Sequence, residues 1–173
     1  DNVIYPTLDY LGIGGNPYLG VLGVNGILTD DGKIFILGWQ NFMQDCDAAA
    51  VLANLDEDLF TLFESCSIGS FSDESKDIKT LEQYSVSIVL NCKHKDSKNN
   101  TIQGLELLDE DTLITYYPNT AKNRYLEFEA ASGPVLALTS KASTLSRAVA
   151  SIYEELDDIK FDGIAYRKDI CKI

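Results

Sequence analysis

Histidine is nearly absent: the 173 residues contain one, His94. It stands in KHKDSKNN, a polar stretch that reads as a solvated loop. A Ser-His-Asp or Cys-His centre needs an imidazole base beside its nucleophile, so histidine-based nucleophilic catalysis is set aside. Cations are scarce as well, with 14 Lys and Arg against 27 Asp and Glu and a net charge of −13. Such a surface repels phosphate backbones, which argues against nucleic acid as a partner and against an anionic membrane. No apolar run approaches the roughly 20 residues of a membrane helix, since Gly and Asn interrupt Val21–Leu28. The opening DNVIYPTLDY has no basic n-region or apolar signal core, so the expected location is the cytoplasm. The four cysteines, at 46, 66, 92 and 171, have neither CxxC spacing nor the density of a disulfide framework, and read as free thiols.

What is present is the material for a packed core: 45% hydrophobic residues, with 9 Tyr and 7 Phe, which excludes general disorder. The glycine-rich stretch IGGNPYLGVLGVNGIL does not meet GxGxxG and is not followed by GK[ST]. It reads as a turn before a strand, not as a phosphate loop. The segment Val3–Leu11 reads as the end of a helix. Strands are expected at 18–28 and 33–37, joined by the turn DDGK. A helix follows from Ala48, and another with Asp56 as cap, ended by Gly69. The polar stretch 70–83 reads as a boundary. Beyond it come strands at 86–90, 113–117, 125–129 and 134–138, with the loop 91–100 and the acidic turn 109–111 between them. A helix capped by Ser143 or Thr144 places Leu145, Val149, Ile152, Leu156 and Ile159 on one face. A last strand is expected in IAYRKDI.

The end of the chain carries a resemblance. ASTLSRAVASIYEELDDIKFDGIAYRKDI, preceded by SGPVLALTSKASTL, resembles the C-terminus of the glycinamide ribonucleotide synthetase (phosphoribosylamine–glycine ligase) family, where a helix leads into "F.GM.YR.DIG". IYPTLDYLGIGGNPYLGVLGVNGILTDDGKIFIL and ANLDEDLFTLFESCSIGSF are similar to earlier motifs of the same family, in the same order. The resemblance implies an α/β (α+β) fold: residues 1–78 as the C-terminal lobe of an ATP-grasp domain, and residues 79–173 as the small β-rich domain after it. It also implies an activity, the joining of glycine to 5-phosphoribosylamine with ATP and magnesium in purine synthesis. An N-terminal substrate domain and the first nucleotide-binding lobe would be the partners, and neither lies within these 173 residues.

Two departures bear on chemistry. In the family, a Glu and an Asn on the strand after the hairpin hold magnesium, a hard cation that requires oxygen ligands. Aligning KIFILGWQN with that strand puts Ile36 and Gly38 at those positions, so no metal site and no catalytic residue is assigned here. The family's "GGYPG" loop is replaced by CKHKDSKNN. The carboxylates of QDCDA remain as the candidate cofactor-binding pair, Asp45 and Asp47. Against that reading, Asp47 caps the helix starting at Ala48 and Asp45 is a solvated turn residue. Arg167 and Asp169, two apart in YRKDI, read as an ion pair. The expectation is a ligase-like chain that is inactive alone and needs no cofactor of its own. The alternative is a non-catalytic relative serving as a structural or protein-binding module. The oligomeric state is left open.

Overall fold

The computed structural model describes residues 3–15, 18–70, 78–94, 100–109 and 113–171, without the side chains of residues 45 and 46. The turn expected at Asn16-Pro17, most of the polar boundary (71–77), residues 95–99 of the loop and residues 110–111 of the acidic turn lie outside the described residues. The chain forms two compact units, Asp1–Met43 with Glu57–Ile78, and Gln44–Asp56 with Lys79–Ile173. Among the described residues no helix is long and apolar enough to cross a membrane.

The first unit holds helix α1 (Ile4–Leu11), strands β1 (Gly23–Leu28) and β2 (Ile34–Gln40), and helix α3 (Leu59–Ile68); α2 (Asp45–Ala53), between them in the chain, belongs to the second unit. β1 and β2 pair antiparallel across a turn in which the Thr29 N–H donates to Lys33 O and the Gly32 N–H to Thr29 O. The register slips between Asn25 and Gly26: Gly26 faces Ile36 and Asn25 faces Gly38, which leaves Leu37 as an extra residue in β2. α3 is capped by Asp58, two residues beyond the expected Asp56. Its carboxylate accepts from the Thr61 N–H at 2.7 Å and from the Thr61 hydroxyl at 2.6 Å. Those two bonds, the hydroxyl's first, hold the Asp58 carboxyl below its ordinary value of 3.8. The capping contribution is therefore complete above that value and is lost as pH falls through the depressed one. Gly69 ends the helix at φ 68°, a left-handed conformation suited to glycine.

No described residue of this unit is buried. Leu28, Leu37 and Phe60 are 71%, 67% and 72% exposed, and Ile34, Phe35 and Trp39 are exposed beside them. Among the described residues the unit is a hairpin and two helices without a core, and a two-stranded hairpin is marginal by itself in water.

The second unit contains α2, β3 (Tyr84–Cys92), β4 (Leu113–Tyr116), β5 (Thr120–Lys122), β6 (Phe128–Ala130), β7 (Gly133–Ala142), α4 (Leu145–Leu156) and β8 (Ile164–Ala165). Its main sheet has the order β4-β7-β3-β8, every pair antiparallel. In β3 the sequence alternates, and Val86, Ile88, Leu90 and Cys92 are buried while the residues between them are half-buried. They join Leu136 and Leu138 of β7 and Ala148, Ile152 and Leu156 of α4 in one apolar cluster. α4 starts at Thr144, whose hydroxyl accepts from the Arg147 N–H. β7 contains an extra residue, Val135, because Leu136 faces Leu90 and Pro134 faces Asn91. Pro134, which has no N–H for a ladder, stands beside that irregularity.

α2 packs with residues beyond position 78: the Ser85 hydroxyl donates to Ala50 O at 2.6 Å and the Asn54 amide to Gln83 O at 2.7 Å. Three expected strands are shorter than read: the one expected over 18–28 begins only at Gly23, where pairing with Gln40 starts, and two others are cut short by side chains. At 125–129 the Asn123 side chain accepts from the N–H groups of Tyr125 and Glu127, forming a turn that leaves only Phe128 onward to pair. In IAYRKDI only Ile164 and Ala165 pair, because the Tyr153 hydroxyl on α4 donates to Arg167 O and accepts from the Ile170 N–H.

Three substitutions test this packing. Ile152→Ala is expected to lower the stability of the second unit by about 2–5 kcal/mol, read from urea unfolding. A loss well below that range would show that α4 is not anchored as described. Gly104 has φ 86°, and a Cβ there would overlap the Asp158 carbonyl, whereas Gly32, at φ 79°, has open space around it. Gly32→Ala should cost about 1–2 kcal/mol from backbone conformation alone, and Gly104→Ala clearly more. Equal costs would refute the close approach.

Candidate functional site

Ile36 and Gly38, the positions where the resemblance leads one to expect magnesium ligands, both lie on β2. Positions two apart on a regular strand share a face. Here the extra residue Leu37 separates their partners and breaks that alternation. Ile36 offers hydrocarbon, 44% exposed, and Gly38 offers only its backbone. Neither fits a cation that takes oxygen ligands. Among the described residues no group of three His, Cys, Asp or Glu side chains could hold a metal.

Asp45 and Asp47 open α2. The helix begins earlier than the sequence suggested, with Gln44 at the cap in an extended conformation, so Asp47 lies inside the first turn and is not the capping residue. An exposed acid there complements the positive end of the helix. The pair belongs to the second unit and the β2 positions to the first.

At the C-terminal end, Arg167 and Asp169 pair as expected. Nε to Oδ1 and Nη2 to Oδ2 are both 3.0 Å, a bidentate geometry. The pairing raises the guanidinium above its ordinary value, so it keeps its charge throughout the working range. His94 is exposed, with Nε2 at 3.4 Å from an Asp162 carboxylate oxygen. Cys66, Cys92 and Cys171 are free thiols.

Asn100 is a residue whose part could not be read from sequence, since it closes a polar loop. It is buried, its Nδ2 donates to Asp162 O at 2.9 Å, and its Oδ1 accepts from the Asp162 N–H at 2.7 Å. The side-chain amide thus takes the place of a strand rung and fixes the chain just before β8. The Lys93 N–H then donates to Gly163 O at 2.9 Å.

Solved structures place this architecture among the ATP-grasp proteins, in the C-terminal part of the fold. A biotin carboxylase domain of the Hydrogenobacter thermophilus 2-oxoglutarate carboxylase, in complex with MgADP, superimposes with a TM-score of 0.64 over 88% of this chain and 36% of its own, at 14% identity. Phosphoribosylamine–glycine ligase of Thermotoga maritima gives 0.69 over 94% of this chain and 39% of its own, at 20% identity. The particular relationship comes from sequence. Residues 92–173 match the family model described as phosphoribosylglycinamide synthetase, C domain. The chain is 32% identical over 173 residues to the phosphoribosylamine–glycine ligase of Halalkalibacterium halodurans, covering 98% of this chain and 39% of that protein. It is 29% identical to the bifunctional purine biosynthetic protein purD of Dictyostelium discoideum, covering 22% of it. The chain therefore matches the C-terminal part of phosphoribosylamine–glycine ligase, an enzyme of purine biosynthesis, and spans about two-fifths of the length of that bacterial relative.

Electron paramagnetic resonance with Mn²⁺ tests the reading of β2. The unaltered chain is expected to show no saturable site at residues 36–38, and any such site should arise only in the double variant Ile36→Glu with Gly38→Asn. Saturable binding to the unaltered chain, abolished by changes at residues 36–38, would overturn it.

Proposed function

We propose that this chain acts as the C-terminal portion of a phosphoribosylamine–glycine ligase-like ATP-grasp protein, and that it is inactive alone. In that reading the first unit is part of one wall of a nucleotide cleft. ATP-dependent joining of glycine to 5-phosphoribosylamine would then require an upstream nucleotide-binding lobe and a substrate domain. The observation that carries the reading is the first unit's lack of any buried residue among those described. A hairpin with exposed Phe35, Leu37 and Trp39 is a surface that further strands and helices would cover. The proposed division of labour runs along residues 1–78 and 79–173, with α2 packed on the second part. Asp45 and Asp47 are proposed as the remaining carboxylates near a cofactor.

Ile36 and Gly38 favour a second reading, a non-catalytic relative whose role is structural or protein-binding. An upstream portion supplied from elsewhere separates the two. The chain is mixed with the residues of the Halalkalibacterium halodurans ligase that precede its matching region, and glycinamide ribonucleotide formation is measured. The chain alone is expected to form no product and to bind Mg-ATP without saturation in calorimetry. Product from the mixture would support the ligase-like reading. A stable complex without product would support the structural one. Turnover or saturable nucleotide binding by the chain alone would refute the proposal.

A further inference from the structure

β3 is paired along its whole length on one side only, by β7. On its other side β8 faces it at Asn91 and Cys92, so among the described residues the edge from Tyr84 to Leu90 has no strand beside it. The Lys93 N–H crosses that edge to Gly163 O, and backbone groups two apart on a strand face the same side. β3 has no extra residue, the irregularity opposite Leu90 and Asn91 being Val135 on β7, so the alternation continues. The N–H and C=O groups of Ser87 and Val89 therefore face the open edge. The place beside them is vacated by the chain's own end. In the register of β8, where Ala165 faces Asn91, a continued strand would set Arg167 against Val89. Tyr153 on α4 instead draws Arg167 and Ile170 off the sheet.

Native sheet edges are commonly blunted by a charge or a proline. The segment YSVSIVL, 84 to 90, has neither. Beside it lies a groove of about 470 Å³, lined among others by Ser87, Val89, Lys93 and Arg167. None of its lining residues is acidic, in a chain where acidic residues outnumber basic ones 27 to 14. Lys93 and Arg167 are both exposed. Arg167 uses Nε and Nη2 on Asp169, and a guanidinium carries five N–H donors, so its Nη1 pair remains available.

We propose that this edge takes up an extended, acidic segment of a partner protein as an added strand. The segment's backbone pairs with the N–H and C=O groups of Ser87 and Val89, and its carboxylates meet Lys93 and Arg167 in the groove. Main-chain pairing of this kind supplies affinity with little regard to sequence, and the two cations select for acid. Charge also sets aside a second copy of this chain as the occupant. The stretch from Tyr84 to Lys93 contains no Asp or Glu to meet those cations, and molecules of net charge −13 repel one another. The assignment rests on neither reading of the activity, since a ligase portion and a structural relative can each carry such an edge.

The experiment adds a capped peptide, acetyl-Thr-Glu-Val-Glu-Val-Glu-Thr-amide, to the chain and follows amide NMR shifts and hydrogen exchange. Saturable shifts are expected at Ser87, Val89 and Lys93, with slowed exchange of the Ser87 and Val89 N–H groups. The same peptide with Lys in place of Glu, or with its interior amides N-methylated, should bind at least about tenfold more weakly. Lys93→Gln and Arg167→Gln should each weaken binding about threefold, the weight of one exposed ion pair. Val89→Pro removes an edge N–H that β7 does not use, a position where a strand tolerates proline, and should abolish binding. Should that variant fail to fold, the N-methylated peptide tests the same pairing on the unaltered chain. No saturation at the Ser87 and Val89 amides would overturn the proposal, as would binding undiminished by N-methylation. Free glutamate giving the same shifts would reduce the groove to an anion site and overturn it too. Two other results reassign the edge and count equally against it. One is concentration-dependent protection of these amides in the chain alone, the mark of a second copy. The other is their protection by the upstream portion of the Halalkalibacterium halodurans ligase, the mark of a contact within a longer protein. Product formation in the complementation mixture is a separate readout, and its failure leaves this proposal standing.

Discussion

The antiparallel ladder from Tyr84–Cys92 to Gly133–Ala142 is the constraint on which the second unit depends. Because side chains alternate along a strand, pairing these two segments gathers Val86, Ile88, Leu90, Leu136 and Leu138 onto one face. A slip of one residue would turn that set toward the opposite face. α4 then has a continuous apolar surface against which to bury Ala148, Ile152 and Leu156. The remaining features are placed by that arrangement. α2 finds Ser85 on the other side of β3, β4 finds the second edge of β7, and Tyr153 projects from α4 to take hold of Arg167. The first unit has no equivalent ladder among its described residues. Its two strands bury nothing between them, and the difference between the units is one of sheet size and coverage rather than of composition.

That contrast also organises the chemistry. Ile36 and Gly38, where the resemblance leads one to expect metal ligands, lie on the unit with no buried residue among those described, while a groove lined by Lys93 and Arg167 lies on the unit with a core. Positioning to within hydrogen-bond tolerance requires rigid support. Asn100 provides it for the chain entering β8 with two hydrogen bonds from one buried amide. Ile36 and Gly38 stand beside an extra residue in a hairpin that has no buried side chain. The proposed loss of magnesium ligands at those positions is consistent with this: once side-chain oxygens are absent, hydrocarbon there serves only whatever covers the strand.

Much of this was legible in the sequence where period and capping agree. The spacing of Leu145, Ile152 and Leu156 after a Ser-Thr pair specifies α4, and the alternation of Val86, Ile88 and Leu90 specifies β3. Gly69 was readable as a helix stop because the left-handed position suits glycine. What could not be read depended on distant partners. The strand expected at 125–129 has suitable residues, but the Asn123 side chain captures its first N–H groups. IAYRKDI has strand-forming residues in its first half, and Tyr153 draws the second half off the sheet. The helix cap at Asp47 failed by a local choice, since QDCDA can begin a helix at either aspartate and the structure begins it at Asp45. The extra residues Leu37 and Val135 leave no mark in composition. Of the candidate site, the ion pair of Arg167 and Asp169 was visible as spacing. Its neighbourhood with Ser87 and Asn91, far earlier in the chain, was a property of the fold.

The uncovered hairpin has a consequence for handling the chain in solution. Among the described residues β1 and β2 each keep one unpaired edge, and Ile34, Phe35, Ile36 and Leu37 form an uninterrupted apolar run of high β-propensity. A free edge of that kind is a template on which another chain can add a strand, the first step towards ordered aggregates. Mutual repulsion between molecules carrying a net charge of −13 opposes that step at neutral pH. Acidification towards the sequence pI of about 4.3 removes the repulsion while leaving the apolar run in place. The acidity of this chain is thus also its colloidal protection.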